Sequence, residues 1–278
     1  MKRILCPIDF SEASLNALEH AVQMGITMSA SLTLIYVFDE EEFITVVQEA
    51  DTNDTKILQT LAEKKLRECK QQILETEGAD KLKKVDYILR VGDLVHSIVD
   101  YAERHQTQLI VMGTTGAGSL GEVYVGSNTV KVFQSAQCPV LCVPGDAPYA
   151  PIRKLIYATD YDRDDQEYLK IILAMAQELQ AKVEVLHIDG HDSESRQEEY
   201  SSYATELSTF FGSKALSFHR KICNDTVEQC LDVYLNESGA EIMALLTRNR
   251  GYLEKLFSHS VVKNLSYFTD SPLLIFKN

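Results

Sequence analysis

The chain of 278 residues contains no tryptophan, only six prolines, and no apolar run long enough to cross a membrane. A membrane-spanning helix needs about 20 apolar residues, whereas the apolar stretch at residues 4–8 ends at Asp9. The same stretch is too short for the apolar part of a secretory signal peptide. We therefore expect no membrane partner and a cytoplasmic location.

Positive charge is scarce, because 27 lysine and arginine residues face 41 aspartate and glutamate residues, for a formal net charge of −14. Proteins that bind nucleic acids use clustered basic side chains to neutralise phosphates. We therefore expect no nucleic-acid partner. The acidic balance favours solubility and does not by itself identify a function.

Patterns that indicate metal sites or disulfides are missing as well. The six cysteines form no C-x-x-C pair and have no histidine at zinc-ligand spacing. His187 and His191 flank an acidic segment, HIDGHDSE, but no further ligand follows at a useful spacing. We expect no metal ion on these residues, and we expect six small buried thiols in a reducing compartment.

The sequence repeats itself across its two halves. Residues 2–25 and 153–176 each give basic residues, a short apolar strand, an aspartate and a helix-like segment. The strand-like CPVLCVP near the middle matches SPLLIFK near the end, and three of the six prolines lie in or beside the segment GDAPYAPIR between the halves. This repeat predicts two domains, residues 1–146 and residues 151–278.

Apolar strands alternate with helical segments within the first half. Strands are predicted at residues 4–8, 32–38 and 85–91, in QLIVMG and in PVLCVP, and helices from Ser11, at residues 55–77 and 94–105, and from about Ser127. This alternation predicts an α/β fold in which helices cover both faces of a parallel sheet. Ligands of such sheets bind at the carboxyl ends of the strands, where the strand order reverses.

A glycine-rich segment, GTTGAGSLGEVYVGS, follows the fourth predicted strand. The P-loop pattern is absent, because no lysine lies between Arg104 and Lys131. GAGSLG matches the dinucleotide pattern G-x-G-x-x-G, but it does not follow the first strand, and no acidic residue ends the next strand. A third spacing, G-x2-G-x9-G-S, places a Gly-Ser pair at a helix start, where unpaired N–H groups and the helix dipole favour a phosphate. The alternative is a surface loop whose glycines only make turns.

With these motifs the chain resembles the ATP-binding members of the universal stress protein family. The shared features are the G-x2-G-x9-G-S spacing, the opening ILCPIDFSEAS, the segment VGDLVHSIVDYAE, and the strands LIVMGT and CPVLCVP. The resemblance covers residues 1–146 and, more weakly, residues 151–278. It implies two tandem Rossmann-like (adenine nucleotide alpha hydrolase-like) domains, each with a mostly five-stranded parallel sheet and helices on both faces. The chain departs from the family pattern at Gln108, where an acid usually precedes the LIVMG strand.

The resemblance also implies that the first domain binds ATP or another adenine nucleotide, with Mg²⁺ as a further candidate. Asp9 would offer its carboxylate to a ribose or base donor, and Val37 its backbone to adenine, while Gly126, which lacks a Cβ atom, would let a phosphate approach. The complete implied set is Pro7, Ile8, Asp9, Val37, Met112, Gly113, Gly116, Gly126, Ser127 and Asn128. The alternative for Asp9 is a helix cap or a turn residue. No catalytic residue and no protein ligand for a metal ion is predicted.

The second half lacks the glycine motif, which predicts a degenerate domain without a nucleotide site. The residues that align with Gly113, Gly116, Gly126 and Gly92 are Leu246, Asn249, His259 and Asn224, and only Ser260 matches its counterpart, Ser127. Side chains at the first three positions would occupy the space that phosphates need.

The resemblance implies a cytoplasmic stress-response protein that acts by regulation or signalling. Two other classes remain open: a slow ATPase or phosphotransferase, for which Arg248 or Arg250 would supply the missing cation, and a nucleotide-free interaction module. Single-domain family members commonly pair through their last strand, so PVLCVP and PLLIF would make a pseudo-dimer within one chain. A homodimer of the whole chain and an unknown protein partner stay open.

Overall fold

The computed structural model describes residues 2–38, 52–114, 126–161, 164–190, 192–246 and 271–277. The chain forms two compact units, Met1–Tyr149 and Ala150–Phe276. Within the described ranges, no helix has the length and apolar character that a membrane crossing requires.

The first unit alternates strands and helices from its start. Its strands are β1 (Arg3–Pro7), β2 (Ser31–Phe38), β3 (Lys84–Val91), β4 (Leu109–Gly113) and β5 (Val140–Val143). Its helices are α1 (Glu12–Met28), α2 (Thr52–Glu75), α3 (Leu94–Arg104) and α4 (Ser127–Ser135), with a short 3-10 helix at Ala79–Lys81. Ser11 caps α1, as predicted, because its side chain accepts a hydrogen bond from the Ser14 N–H.

The strands of the first unit run parallel in the order β3-β2-β1-β4-β5. Strands β1 and β4 are almost wholly apolar and buried, with Leu5, Ile110 and Val111 at most 1% exposed. Such continuous burial is typical of a parallel sheet that is covered on both faces. Because successive strands are added first on one side of β1 and then on the other, the strand order reverses between β1 and β4.

The second unit repeats this plan. Its strands are β6 (Lys154–Ala158), β7 (Lys182–Asp189), β8 (Ser217–Ile222), β9 (Ile242–Leu246) and β10 (Leu273–Phe276). Its helices are α5 (Asp165–Leu179), α6 (Glu194–Phe211) and α7 (Val227–Ser238). The strands again run parallel, in the order β10-β9-β6-β7-β8. The predicted α/β fold with two tandem Rossmann-like sheets is confirmed.

Strand register makes the two units comparable residue by residue. Arg3 pairs with Ser31 in the first unit, and Lys154 pairs with Lys182 in the second. Each residue of the second pair therefore lies 151 positions after its counterpart in the first. The αL residue that ends the first helix follows the same rule, because Ser29 has φ 51° and Gln180 has φ 57°. The backbone of one unit therefore provides a reference for the other.

Two sequence expectations about cysteine and glycine positions are wrong. Cys223 and Cys230 are joined by a disulfide, so six free thiols were not the correct expectation. Gly92 corresponds to Cys223 and not to Asn224, because their N–H groups donate to the last residues of β2 and β7, Phe38 and Asp189. The next helix is capped by Asp93, directly after Gly92, in unit one but by Thr226, three residues after Cys223, in unit two, and this difference in loop length was not visible in the sequence pattern.

Candidate functional site

The candidate site lies at the carboxyl edge of the first unit, where the strand order reverses between β1 and β4. Strand β1 ends at Pro7, β4 ends at Gly113, and β2 ends at Phe38 on the other side of β1. Open parallel sheets bind their ligands in the crevice outside such strand ends.

The turn from β1 into α1 places a carboxylate at this edge. Pro7 and Ile8 are buried, whereas Asp9 is exposed. The Asp9 carboxylate accepts hydrogen bonds from the Ser11 N–H at 3.0 Å and from the Ser11 hydroxyl at 2.5 Å. These are the contacts of a turn residue that supports the helix cap, which was the alternative reading of Asp9. Phe10 between them has a φ of 63°.

Three aromatic rings lie beside this turn, and the sequence reading missed them. The Phe10 ring stacks on Tyr36 with centroids 5.4 Å apart, and Tyr36 meets Phe38 edge-on at 4.9 Å. Lys65 of α2 holds its Nζ 5.1 Å from the Phe10 ring centroid. Tyr36 and Phe38 share one face of β2 because side chains alternate along a strand, and this spacing was the signal available in the sequence.

Close packing of α1 against β4 explains one glycine of the motif. A Cβ atom at Gly113 would lie 2.8 Å from the carbonyl carbon and oxygen of Ala13. The backbone of α1 therefore leaves no room for a side chain at this position. Met112, the preceding residue, is 6% exposed, so both residues form part of the packed strand end.

Hydrogen bonds connect the end of β4 to the start of α4. The Gly126 N–H donates to the Thr114 carbonyl, and the Thr129 hydroxyl donates to the Gly113 carbonyl at 3.0 Å. The Thr114 N–H donates to Val143 at the end of β5. The start of α4 is thus held against the end of β4. Gly116 lies outside the described residues.

The N-terminus of α4 has the features of an anion site. Gly126 is its N-cap and makes no side-chain capping bond, and the first turn carries no acidic residue. Ser127 and Asn128 are exposed. The first N–H groups of a helix lack partners within the helix, and the dipole favours negative charge there.

The structure brings together the predicted site residues that it describes. Pro7, Ile8 and Asp9 end β1, while Met112 and Gly113 end the adjacent β4. Gly126, Ser127 and Asn128 reach the same edge through the bond from Gly126 to Thr114. Val37 is half-buried in the next-to-last position of β2, and β1 lies between that strand and β4.

The corresponding edge of the second unit is occupied by a buried polar network. Asp165 is 1% exposed and accepts hydrogen bonds from the hydroxyls of Tyr157, Thr159 and Tyr203. Burial raises the pKa of the Asp165 carboxyl above its ordinary value, although these three donors act in the opposite direction. Burial also raises the pKa of the Tyr203 hydroxyl, and the Asp165 charge adds to that effect.

A second part of the network involves a histidine and an arginine. The His187 ring stacks on Tyr161 with centroids 3.9 Å apart; its Nδ1 lies 2.7 Å from the Thr159 carbonyl oxygen and its Nε2 3.2 Å from Asp189 Oδ1. Arg220 donates from Nε to Asp189 Oδ2 at 2.5 Å. Burial alone would raise the pKa of Asp189, but the hydrogen bonds and charges of Arg220 and His187 together outweigh burial and lower that pKa below its ordinary value. His187 is thus a partner of the network. Within the described ranges no group of residues suited to a metal ion is found, and His191 lies outside them.

Sequence and structure comparisons agree on the relatives of this chain. The model of the universal stress protein family matches residues 1–144. The universal stress protein MJ0531 of Methanocaldococcus jannaschii is 32% identical over 153 residues, which cover 51% of this chain and 81% of that protein. The universal stress protein YxiE of Bacillus subtilis is 30% identical over 157 residues, covering 51% and 97%. A solved universal stress protein from Archaeoglobus fulgidus aligns over 99% of this chain and 98% of its own at a TM-score of 0.73 and 19% identity, which shows a common fold.

Proposed function

The chain belongs to the universal stress protein family in its tandem form, and we propose that its first unit binds ATP or a related adenine nucleotide. The nucleotide lies across the carboxyl ends of β2, β1 and β4. Its role is regulatory: occupancy controls association with a protein partner during the cytoplasmic stress response.

The proposal depends most on the hydrogen bond from the Gly126 N–H to the Thr114 carbonyl. This bond holds the start of α4 against the end of β4, so the unpaired N–H groups of the helix face the strand-order reversal. An added Cβ at Gly126 would lie 3.3 Å from the Thr114 oxygen, which leaves little space for both a side chain and a phosphate. Ser127 is exposed and offers its hydroxyl to the same anion.

The nucleoside lies on the β1 and β2 side of this edge. Asp9 is exposed there and holds Ser11, so its carboxylate is oriented before a ribose or base donor arrives. Val37 offers backbone groups to adenine. The stacked Phe10 and Tyr36 rings add an aromatic surface, against which the edge of a flat base can pack.

The composition of the phosphate side favours binding over rapid turnover. No lysine or arginine occurs in residues 105–130, whereas phosphoryl transfer requires positive charge close to the transferred group. The exposed Ser127 hydroxyl and Asn128 amide are oxygen donors of a kind that Mg²⁺ accepts alongside phosphates and water. When bound, Mg²⁺ would neutralise phosphate charge. The residues of this chain supply orientation and N–H donors.

We further propose that residues 151–278 form a degenerate domain without a nucleotide site. At the corresponding edge, Tyr161, His187 and Tyr203 pack their rings together at centroid distances of 3.9 and 4.9 Å. Leu246 takes the register position of Gly113, because it pairs with Phe276 as Gly113 pairs with Val143. Asn249, His259 and Ser260 lie outside the described residues.

The test is calorimetric titration of ATP with Mg²⁺ into the full chain and into Gly126→Val. We expect the variant to bind at least about tenfold more weakly, because the side chain obstructs phosphate approach at the helix start. Gly190→Ala is the matched control, since an added Cβ there meets no atom within 4 Å. Equal affinity in all three proteins, with thermal unfolding unchanged, would contradict the assigned phosphate position.

A further inference from the structure

The six cysteines fall into two chemical groups. Cys6, Cys69 and Cys142 are buried free thiols, and Cys138 is half-buried. Burial raises the pKa of Cys142 to about 12 and that of Cys138 to about 11. The thiolate is the reactive form of cysteine, so these four thiols in the first unit have little reactivity at neutral pH.

The remaining two cysteines form a pair in the second unit. Cys223 follows β8 directly and is half-buried, and Cys230 is 6% exposed in α7. The structure joins them by a disulfide, with Cα atoms 6.3 Å apart. That separation lies in the range that a disulfide spans without backbone movement.

Backbone contacts hold both cysteines in place independently of the sulfur–sulfur bond. The Cys223 N–H donates to the Asp189 carbonyl at 2.8 Å, and the Cys230 N–H donates to the Thr226 carbonyl at 3.1 Å. Thr226 and Gln229 form a capping box at the start of α7. Because the helix has its own cap, the local fold can persist with the two sulfurs either bonded or reduced.

We propose that Cys223 and Cys230 form a reversible redox couple, a modification site that a peroxide oxidises and a thiol reductant restores. Disulfides in a reducing cytoplasm are typically transient or redox-sensing, and the location proposed above is cytoplasmic. The couple does not depend on nucleotide binding. The couple lies next to the buried polar network of the second unit. The Cys223 N–H donates to the backbone carbonyl of Asp189, and the carboxylate of Asp189 accepts a hydrogen bond from Arg220.

The chemistry is a balanced two-electron oxidation. The half-buried Cys223 meets the oxidant first, and its thiolate attacks one peroxide oxygen, giving a sulfenic acid and one molecule of water. The Cys230 thiol then attacks the Cys223 sulfur, forming the S–S bond and releasing a second water. Two thiols and one hydrogen peroxide thus give one disulfide and two waters. Reduction by an added dithiol returns both hydrogens through a mixed disulfide.

The first test counts thiols on the native full chain. Protein reduced with dithiothreitol and then unfolded should take up six maleimides, and protein treated with one equivalent of hydrogen peroxide should take up four. Both cysteines lie in one tryptic peptide, residues 222–248, which should be lighter by two hydrogens after oxidation. Six maleimides after peroxide, loss of another thiol first, or a bond that dithiothreitol does not reduce in the native protein would each overturn the proposal.

Variants test the assigned order of events. Cys230→Ser should leave a sulfenic acid on Cys223 that dimedone traps, whereas Cys223→Ser should give no dimedone adduct on Cys230. Cys138→Ser is the matched control, because Cys138 is also half-buried, and it should form the disulfide at the wild-type rate. Dimedone labelling of Cys230 alone would contradict the proposal that Cys223 is oxidised first. Slow disulfide formation in Cys138→Ser would show that Cys138 of the first unit, and not Cys223, is the thiol that reacts with peroxide.

Discussion

At the carboxyl edge of the first unit, Phe10 has a φ of 63° and stacks on Tyr36. At the same register position of the second unit, Tyr161 has a φ of 61° and stacks on His187. One backbone design therefore carries two kinds of edge. An exposed aspartate precedes the first ring of each pair, Asp9 in one unit and Asp160 in the other, but only in the second unit does the pair also contact a buried carboxylate, that of Asp189.

The start of the first helix differs in the same way. Ser14 in α1 accepts a hydrogen bond from the Asp9 N–H at 3.3 Å, and its counterpart 151 positions later is Asp165, which accepts three hydroxyl donors. A small neutral side chain leaves the edge accessible. A buried carboxylate requires donors around it, and those donors fill the corresponding space in the second unit.

At the amino end of the central strand, the two units use different side chains for the same hydrogen bond. The Gln108 side chain accepts from the Arg3 N–H at 2.9 Å, and Glu241 accepts from the Lys154 N–H at 2.9 Å. Both side chains satisfy the first N–H group of the central strand. The departure from the family pattern at Gln108 therefore preserves the hydrogen bond and lies away from the candidate site.

The largest expected effect comes from removing the centre of the second-unit network. Asp165→Ala removes the carboxylate that accepts from the hydroxyls of Tyr157, Thr159 and Tyr203, so we expect the unfolding free energy of that unit to fall by about 3–5 kcal/mol. Ser14→Ala in the first unit should cost about 1 kcal/mol. Amide hydrogen exchange in β9 and β4 measures the two units separately. An equal loss of unfolding free energy in Asp165→Ala and Ser14→Ala would show that the second-unit network is no more important for stability than the hydrogen bond of Ser14.

A smaller effect is expected where α1 packs against β4. Gly113→Ala forces a methyl to within 2.8 Å of the Ala13 backbone, and overpacking of this kind costs about 1–3 kcal/mol. Gly145→Ala is the control, because its Cβ would meet the Ala13 Cβ at an ordinary 3.6 Å. Urea unfolding compares the two. An undisturbed Gly113→Ala protein would show that this glycine is not required for packing.

The smallest effect depends on pH and concerns His20, whose counterpart in the second unit is the exposed Ile171. Its Nε2 lies 3.1 Å from the Ala147 carbonyl oxygen, and burial lowers its pKa below the ordinary 6.5. The folded unit thus binds this proton less readily than the unfolded chain does. The contribution of neutral His20 to the free energy of unfolding is therefore fully present above pH 6.5. It is lost as the pH drops below that value, by at most about 1.4 kcal/mol per pH unit.

The variant His20→Gln keeps a donor for the Ala147 carbonyl but removes the titrating group. The difference in unfolding free energy between wild type and variant, followed by hydrogen exchange in β4, should therefore narrow from pH 7 to pH 5.5. A difference that stays constant over this range would exclude His20 as the titrating group.

Local sequence patterns were sufficient to predict most of the first unit. Strands predicted at residues 32–38 and 85–91 are observed at Ser31–Phe38 and Lys84–Val91, and the helix predicted at residues 94–105 is Leu94–Arg104. Apolar runs and helical periodicity report burial directly, so element types and order followed from them. The glycine spacing likewise identified the end of β4 and the start of α4.

Contacts between distant segments could not be predicted in this way. Tyr203 reaches Asp165 across 38 positions, and Ala13 excludes a side chain at Gly113 across a hundred. The pairing of Cys223 with Cys230 depends on how the loop after β8 returns into α7. Such contacts depend on how the helices pack on the sheet, and local patterns in a single sequence do not specify that packing.

The central claim is that one unit holds a nucleotide and the other does not. We would denature freshly purified chain, identify the released small molecules by mass spectrometry and quantify them, in parallel with Gly126→Val. The account predicts one adenine nucleotide per chain, taken up again from added ATP and Mg²⁺, and none in the variant. Two nucleotides per chain would contradict the assignment of the second unit, and none, even after added ATP and Mg²⁺, would contradict that of the first.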